Sequence, residues 1–160
     1  MPASNMDIIL LSLATLTEDT FQQMVAIEAN CGLSCYYPPE VLRECIRIGD
    51  TYACMDGETV AGFITIDKES TDYFDISLHI VNVNVSAAYR RQGVAQRMIR
   101  TVCGRYAQSH AGLMVTLDVE KTNMPARSLY EKLGFTVSDL PSENGDDDLV
   151  MTVPLSQLLS

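Results

Sequence analysis

The 160-residue chain is marked first by what it lacks. No apolar run approaches the roughly 20 residues of a spanning helix; the opening segment Ile8 to Leu13 is far too short. No stretch joins a basic region, an apolar region and a small-residue cleavage site, so a cytoplasmic protein with no membrane partner is expected. No CxxC pair occurs. The five cysteines (Cys31, Cys35, Cys45, Cys54, Cys103) are odd in number and read as free thiols in a reducing compartment, with a Cys31–Cys35 pair left open. No metal is expected. Positive charge is scarce: 11 Lys and Arg against 21 Asp and Glu give a net charge of −10. That balance argues against a nucleic-acid partner and favours cationic ones. There is no internal repeat and no linker, so residues 1–160 read as one domain, as monomer or homodimer.

What positive charge there is lies unevenly. Between Asp75 and Asp118 there is no carboxylate, and this interval holds Arg90, Arg91, Arg97, Arg100 and Arg105, five of the 11 cations. Most charge runs are solvated helix faces. This one sits at "AAYRRQGVAQRM", a glycine-marked entry into a helix, where unpaired amides already favour an anion.

Periodicity gives the surrounding elements. Asp7 to Leu13 is a β-prone opening strand. Thr17 can cap a helix to about Asn30, with Phe21, Met24, Val25 and Glu28 at helical spacing. After a loop from Gly32 to Pro38, Pro39-Glu40 starts a second helix that ends before Gly49-Asp50. Thr51 to Met55 and Glu58 to Ile66 flank Asp56-Gly57, a hairpin signal. A polar turn from Asp67 to Asp72 precedes a long strand, Tyr73 to Val85. The helix after Gly93 carries Val94, Met98, Val102 and Tyr106 and is expected to end before Ala111-Gly112. Leu113 to Val119 alternates as a strand. A helix from Met124 to Leu133 stops at Gly134, suited to a left-handed cap. An acidic loop, Asp139 to Asp148, leads to a last strand, Leu149 to Val153. The pattern is α/β with a mixed sheet.

The turn around Gly93 admits few readings. A dinucleotide fingerprint needs GxGxxG, but Gly93 stands alone with Ala95 two residues on; a P-loop needs Gly-Lys-Ser/Thr, which is absent. What remains is a pyrophosphate cradle of successive amides over Arg91, Gln92, Gly93, Val94 and Ala95.

The segment "NVNVSAAYRRQGVAQRMI" resembles the acetyl-CoA-binding segment of the GCN5-related N-acetyltransferases (GNAT), whose Gln/Arg-x-x-Gly-x-Gly/Ala pattern falls on Arg90, Gly93 and Ala95. A second family segment follows, "LDVEKTNMPARSLYEKLGF", with Asn123, Ala126, Leu129-Tyr130 and Leu133-Gly134-Phe135. The resemblance implies the GNAT α/β (α+β) fold, a mixed central sheet in the order β-α-α-β-β-β-α-β-α-β-β. It also implies acetyl-CoA, or another acyl-CoA, as donor and an amine as acceptor. On the same ground Val83 and Val85, at the end of the long strand, and Asn123 are expected donor contacts. Asn123 is also a natural N-cap, and both roles can hold.

Acetyl transfer to a protonated amine needs a base, a donor to the carbonyl oxygen and a proton for the departing thiolate. The resemblance assigns the last role to Tyr130; a core-packed tyrosine is the structural alternative. For the base there are two candidates. His79 shares strand parity with Val81, Val83 and Val85 and has a suitable unperturbed pKa. Asp118 lies 12 residues before Tyr130, where ribosomal-protein N-terminal acetyltransferases carry a base glutamate. His79 ranks slightly ahead. Each also reads simply as a polar strand residue.

In this family the loop between the first two helices lines the acceptor site, which maps onto "NCGLSCYYPPE" and makes Tyr36 and Tyr37 candidate pocket walls. A surface turn packed on the core is the alternative. The paired tyrosines of the ribosomal-protein enzymes are replaced here by "SDLPSENGDDDLV", whose acids suit a cationic amine or peptide if they are not merely solvated. The acceptor expected is an amine-bearing small molecule or peptide, with a protein N-terminus as the alternative. A sensor or partner subunit that binds acyl-CoA without turnover is the rival class.

Overall fold

A computed structural model describes residues 5–30, 37–67, 77–107, 113–142 and 144–160. Its strands are β1 (Asp7–Leu10), β2 (Asp50–Asp56), β3 (Thr59–Asp67), β4 (Ser77–Val85), β5 (Met114–Glu120), β6 (Thr136–Val137) and β7 (Asp148–Pro154). Its helices are α1 (Glu18–Ala29), α2 (Pro39–Ile48), α3 (Val94–Gly104), α4 (Met124–Lys132) and α5 (Leu155–Leu159). The strands run β1-β2-β3-β4-β5-β7-β6 in a mixed seven-stranded sheet. Two compact units divide the chain: Met1–Ile66 with Asn82–Val102, and Asp67–Val81 with Cys103–Ser160.

In the first unit, β1 pairs antiparallel with β2, and β2 with β3. The β2–β3 hairpin turns at Asp56-Gly57, where Gly57 takes φ 61°, the left-handed backbone that a tight hairpin requires. Thr17 caps α1, its hydroxyl accepting the Thr20 amide at 3.1 Å. Pro39 opens α2 at a position that needs no N–H. Helical spacing then sets Phe21, Met24 and Ile27 of α1 and Leu42 and Ile46 of α2 against Ala53, Val60 and Phe63 of the sheet. Full burial of each larger apolar side chain contributes about 1.5–3 kcal/mol. At Gly62 a Cβ would stand 2.6 Å from the Asn84 carbonyl oxygen and 3.0 Å from the Met98 side chain. Only glycine lets β3 lie that close to β4 and α3.

In the second unit β5 is central. It pairs parallel with β4 over Ser77–Ile80 and antiparallel with β7 along its whole length. Val115, Leu117 and Val119 are buried, as alternation requires, and so is Thr116 on the other face. Asn123 caps α4 through a hydrogen bond from the Ala126 amide, and Gly134 leaves the helix at φ 101°.

Several boundaries differ from expectation. β1 ends at Leu10, not Leu13, because residues 12–16 close a turn on the Ser12 carbonyl. α3 ends at Gly104, and Tyr106 lies in the turn beyond it rather than on the helix. Val25 is half-buried while Ile27 takes the core position. The terminal helix α5, which buries Leu155 and Leu158, was not anticipated. The expected strand start at Tyr73, most of the Asp67–Asp72 turn, and Cys31, Cys35, Tyr36 and Glu143 lie outside the described residues. Cys45, Cys54 and Cys103 are free. Among the described residues, no helix is long and apolar enough to cross a membrane, and no group of His, Cys, Asp and Glu is placed to hold a metal ion.

Candidate active site

Within the first unit, β4 leads through a 3-10 turn at Ala87–Tyr89 into α3. That turn is pinned at both ends. The Ser86 amide donates to Ala61, and the Tyr89 hydroxyl donates to Asp56 at 2.7 Å. Two residues then enter left-handed backbone: Arg91 at φ 63° and Gly93 at φ 78°. Such a conformation is unusual for arginine and concentrates at functional turns. Val94, buried with Met98, Ile99 and Val102, anchors the start of α3. Among the described residues, the amides of Arg91, Gln92, Gly93, Val94 and Ala95 donate to no backbone carbonyl. The side chains of Arg90, Arg91 and Gln92 are exposed, and a Cβ on Gly93 would meet nothing within 4 Å. Uncommitted amides, a helix N-terminus and open space above Gly93 fit a phosphate oxygen. Val83 and Val85 share the half-buried face of β4 with His79 and Val81.

Within the second unit, the two candidate bases touch. His79 and Thr116 are register partners on β4 and β5. The His79 Nδ1 atom is 2.8 Å from Thr116 Oγ1, and Nε2 is 3.3 Å from Asp118 Oδ2. The imidazole therefore spans residues i and i+2 of the neighbouring strand. Ser142 donates to the other Asp118 oxygen at 2.8 Å and itself accepts the Asn144 amide. Burial pulls the Asp118 carboxyl upward, but hydrogen bonds from His79 and Ser142, with the His79 charge, outweigh it and hold the group below its ordinary value.

Tyr130 packs its ring edgewise on Phe135, with centroids 5.8 Å apart. The residue keeps some surface, yet burial around the phenol pushes its pKa up to about 12. It carries its proton at neutral pH, as a general acid must. Asn123 uses Oδ1 for its cap at 3.3 Å, so its NH2 group remains unengaged among the described residues.

One polar cluster escaped the sequence reading. Glu28, expected only as a position on the helix face, is 2% exposed. It accepts the Tyr37 amide at 2.9 Å and the Asn84 side-chain amide. Burial raises its pKa, opposed by the Tyr37 amide and the nearby Asn82 side chain. Tyr37 itself packs against the core cluster. Thr116 and Ser142 were missed as well, since nothing in their local sequence separates them from other strand and loop hydroxyls.

The family description "Acetyltransferase (GNAT) family" matches residues 19–135. The chain belongs to that family. A mycothiol acetyltransferase of Corynebacterium glutamicum is 34% identical over 90 residues, covering 56% of this chain and 29% of that protein. An N-alpha-acetyltransferase of Saccharolobus solfataricus is 32% identical over 80 residues, 48% of each chain. The chain thus spans less than half the length of these two curated relatives. Among solved structures, the ribosomal-protein-S18-alanine N-acetyltransferase of Escherichia coli superposes with a TM-score of 0.70 at 17% identity, covering 93% of this chain and 94% of that one. The PaiA N-acetyltransferase of Thermoplasma acidophilum in complex with coenzyme A gives 0.70 at 17%, covering 94% and 99%. These two likenesses concern the fold.

Proposed function

We propose that the chain is a single N-acetyltransferase domain over residues 1–160, moving an acetyl group from acetyl-CoA to a primary amine by direct attack in a ternary complex. The observation that carries this reading is the run of uncommitted amides from Arg91 to Ala95, opened by two left-handed residues at the head of α3. Such a run suits the donor's pyrophosphate, with Val83, Val85 and the Asn123 amide as further contacts to its arm.

His79 and Asp118, read from sequence as rivals, work as a pair in this proposal. His79 is the base of the reaction, and the Asp118 carboxylate orients the ring and stabilises the imidazolium. As the amine nitrogen bonds to the acetyl carbon and the carbon–sulfur bond breaks, Tyr130 gives its proton to the departing thiolate. The resulting phenolate regains a proton from solvent.

The acceptor is a small amine or a peptide, classes supported by relatives named for mycothiol and for N-alpha acetylation. Asp139, Asp146 and Asp147, in the segment that also holds Ser142, favour a cationic one. The deciding experiment incubates the full chain and acetyl-CoA with cysteinamide and with an alanine-initiated basic peptide, reading acetylated product by mass spectrometry. Product from either establishes transfer and names the acceptor class. Tight acetyl-CoA binding with no product from either, or from a wider amine panel, would mean a sensor.

A further inference from the structure

Both ring nitrogens of His79 are already engaged, so an incoming amine finds neither lone pair nor proton directly in reach. Asp118 Oδ2 lies against Nε2 and Thr116 Oγ1 against Nδ1. The Asp118 carboxylate also accepts a hydrogen bond from Ser142 on its other oxygen, which leaves both oxygens as acceptors. A neutral imidazole between an ionised carboxylate and a hydroxyl must therefore carry its hydrogen on Nε2 and present its lone pair at Nδ1. That lone pair receives the Thr116 hydroxyl hydrogen. Thr116 is 7% exposed, and its register with His79 on the parallel pair fixes the contact.

From this geometry we infer that Thr116 is a proton-relay residue of the acid–base centre: its hydroxyl makes Nδ1 the basic atom of His79 and hands that atom its proton. The inference rests on the proposed acetyl transfer for its role in the reaction, but not for the tautomer. In the hand-off, the amine N–H bond breaks as an O–H bond forms at Oγ1. The original Thr116 O–H bond breaks as Nδ1–H forms. The product is an imidazolium, hydrogen-bonded to Asp118 through Nε2 and to Thr116 through Nδ1. Thr116 is left neutral, and solvent later removes the extra proton.

The chain has 2 histidines, His79 and His110, so selective labelling resolves the question. In the full chain with 15N-labelled histidine, His110→Gln assigns the His79 signals. Long-range proton–nitrogen correlation at neutral to mildly alkaline pH should show the His79 proton on Nε2, with the Nδ1 signal displaced by a hydrogen bond. Thr116→Val should move Nδ1 to the position of a free lone pair, and Thr116→Ser should restore it. With cysteinamide or the alanine-initiated peptide, Thr116→Val should lower kcat/KM by about ten- to a hundredfold, the lower part of the general acid–base range and below. It should also shift the acid limb of the pH profile, and Thr116→Ser should recover most of the loss. A proton on Nδ1 in the unmodified ring overturns the inference without any variant. So does a folded Thr116→Val protein with unchanged Nδ1 signal, rate and pH limb. Failure to acetylate either probe would count against the transferase reading instead, since the tautomer is read with no acceptor present.

Discussion

Exchanging Gly93 for alanine separates backbone strain from ligand exclusion. Gly93 holds φ 78°, where an L residue costs about 1–2 kcal/mol. The added methyl meets nothing within 4 Å, so no steric clash inside the chain adds to that cost. Gly57 is an internal control, with φ 61° and equally open surroundings in the β2–β3 turn. Gly93→Ala and Gly57→Ala should each lower the unfolding free energy by about 1–2 kcal/mol in urea titrations. Their donor affinities should part company. A methyl at position 93 displaces a pyrophosphate from two or so charge-assisted hydrogen bonds at about 1.5–3 kcal/mol each, which is about two to four orders of magnitude in Kd. Calorimetry should show this loss for Gly93→Ala and a clearly smaller change for Gly57→Ala, which can act on the cradle only through the Asp56–Tyr89 hydrogen bond beside it. S-acetylpantetheine, which lacks the pyrophosphate, should bind both alike. If Gly93→Ala loses the expected stability yet binds acetyl-CoA like the unaltered chain, the pyrophosphate lies elsewhere.

Tyr130→Phe keeps the ring contact with Phe135 and deletes only the proton; kcat should fall by about ten- to a thousandfold with acetyl-CoA affinity unchanged in calorimetry, and an unchanged rate-limiting chemical step would return Tyr130 to a packing role. Asp118 has a depressed pKa in the fold, so its stabilisation is present above the unfolded value near 3.9 and fades as pH falls through the folded one. The stability gap between the unaltered chain and Asp118→Asn should accordingly close on acidification, and a gap constant from neutral pH to pH 3 would contradict the pairing. Glu28 has the opposite sign: its raised pKa means that the fold prefers the protonated carboxyl, so its contribution declines as pH rises above about 4.3. Relative to Glu28→Gln, the unaltered chain should lose stability between pH 4 and 7, and a relative gain over that range would refute the assignment of a costly buried carboxylate.

Local chemistry was the legible part of this molecule. Thr17, Pro39, Asn123 and Gly134 mark helix ends through interactions that reach only a few residues, so spacing alone placed α1, α2 and α4 closely. The Asp56-Gly57 turn fixed the β2–β3 hairpin for the same reason. α3 was drawn too long because Tyr106 fits the helical period, although the chain leaves the helix at Gly104. In the candidate site, the glycine-led turn was visible, but the left-handed Arg91 was not, since arginine carries no propensity for it. The contact of His79 with Asp118 depends on the parallel register of β4 and β5, 39 residues apart in the chain. One strand's alternation gives the face of each residue but not which neighbour stands opposite, so the sequence offered His79 and Asp118 as separate candidates without showing that they touch. Glu28 was hidden likewise, because its polar partners Tyr37 and Asn84 come from other segments.

The carboxylate-free interval around α3 bears on how fast the donor is captured. Arg90 and Arg91 stand exposed at the cradle of a chain whose net charge is −10. An approaching polyanion is repelled by the whole molecule at long range and attracted by the cradle at short range. At 0.01 M salt the screening length is about 30 Å and the repulsion reaches far out; at 0.1 M it is about 10 Å and mainly the nearby arginines are felt. Added salt removes the barrier before it weakens the attraction. The association rate should therefore rise and then fall with ionic strength, unlike the steady decline of an encounter steered by opposite net charges. In effect, the acidic surface slows diffusion to the arginines, and salt near 0.1 M largely lifts that barrier.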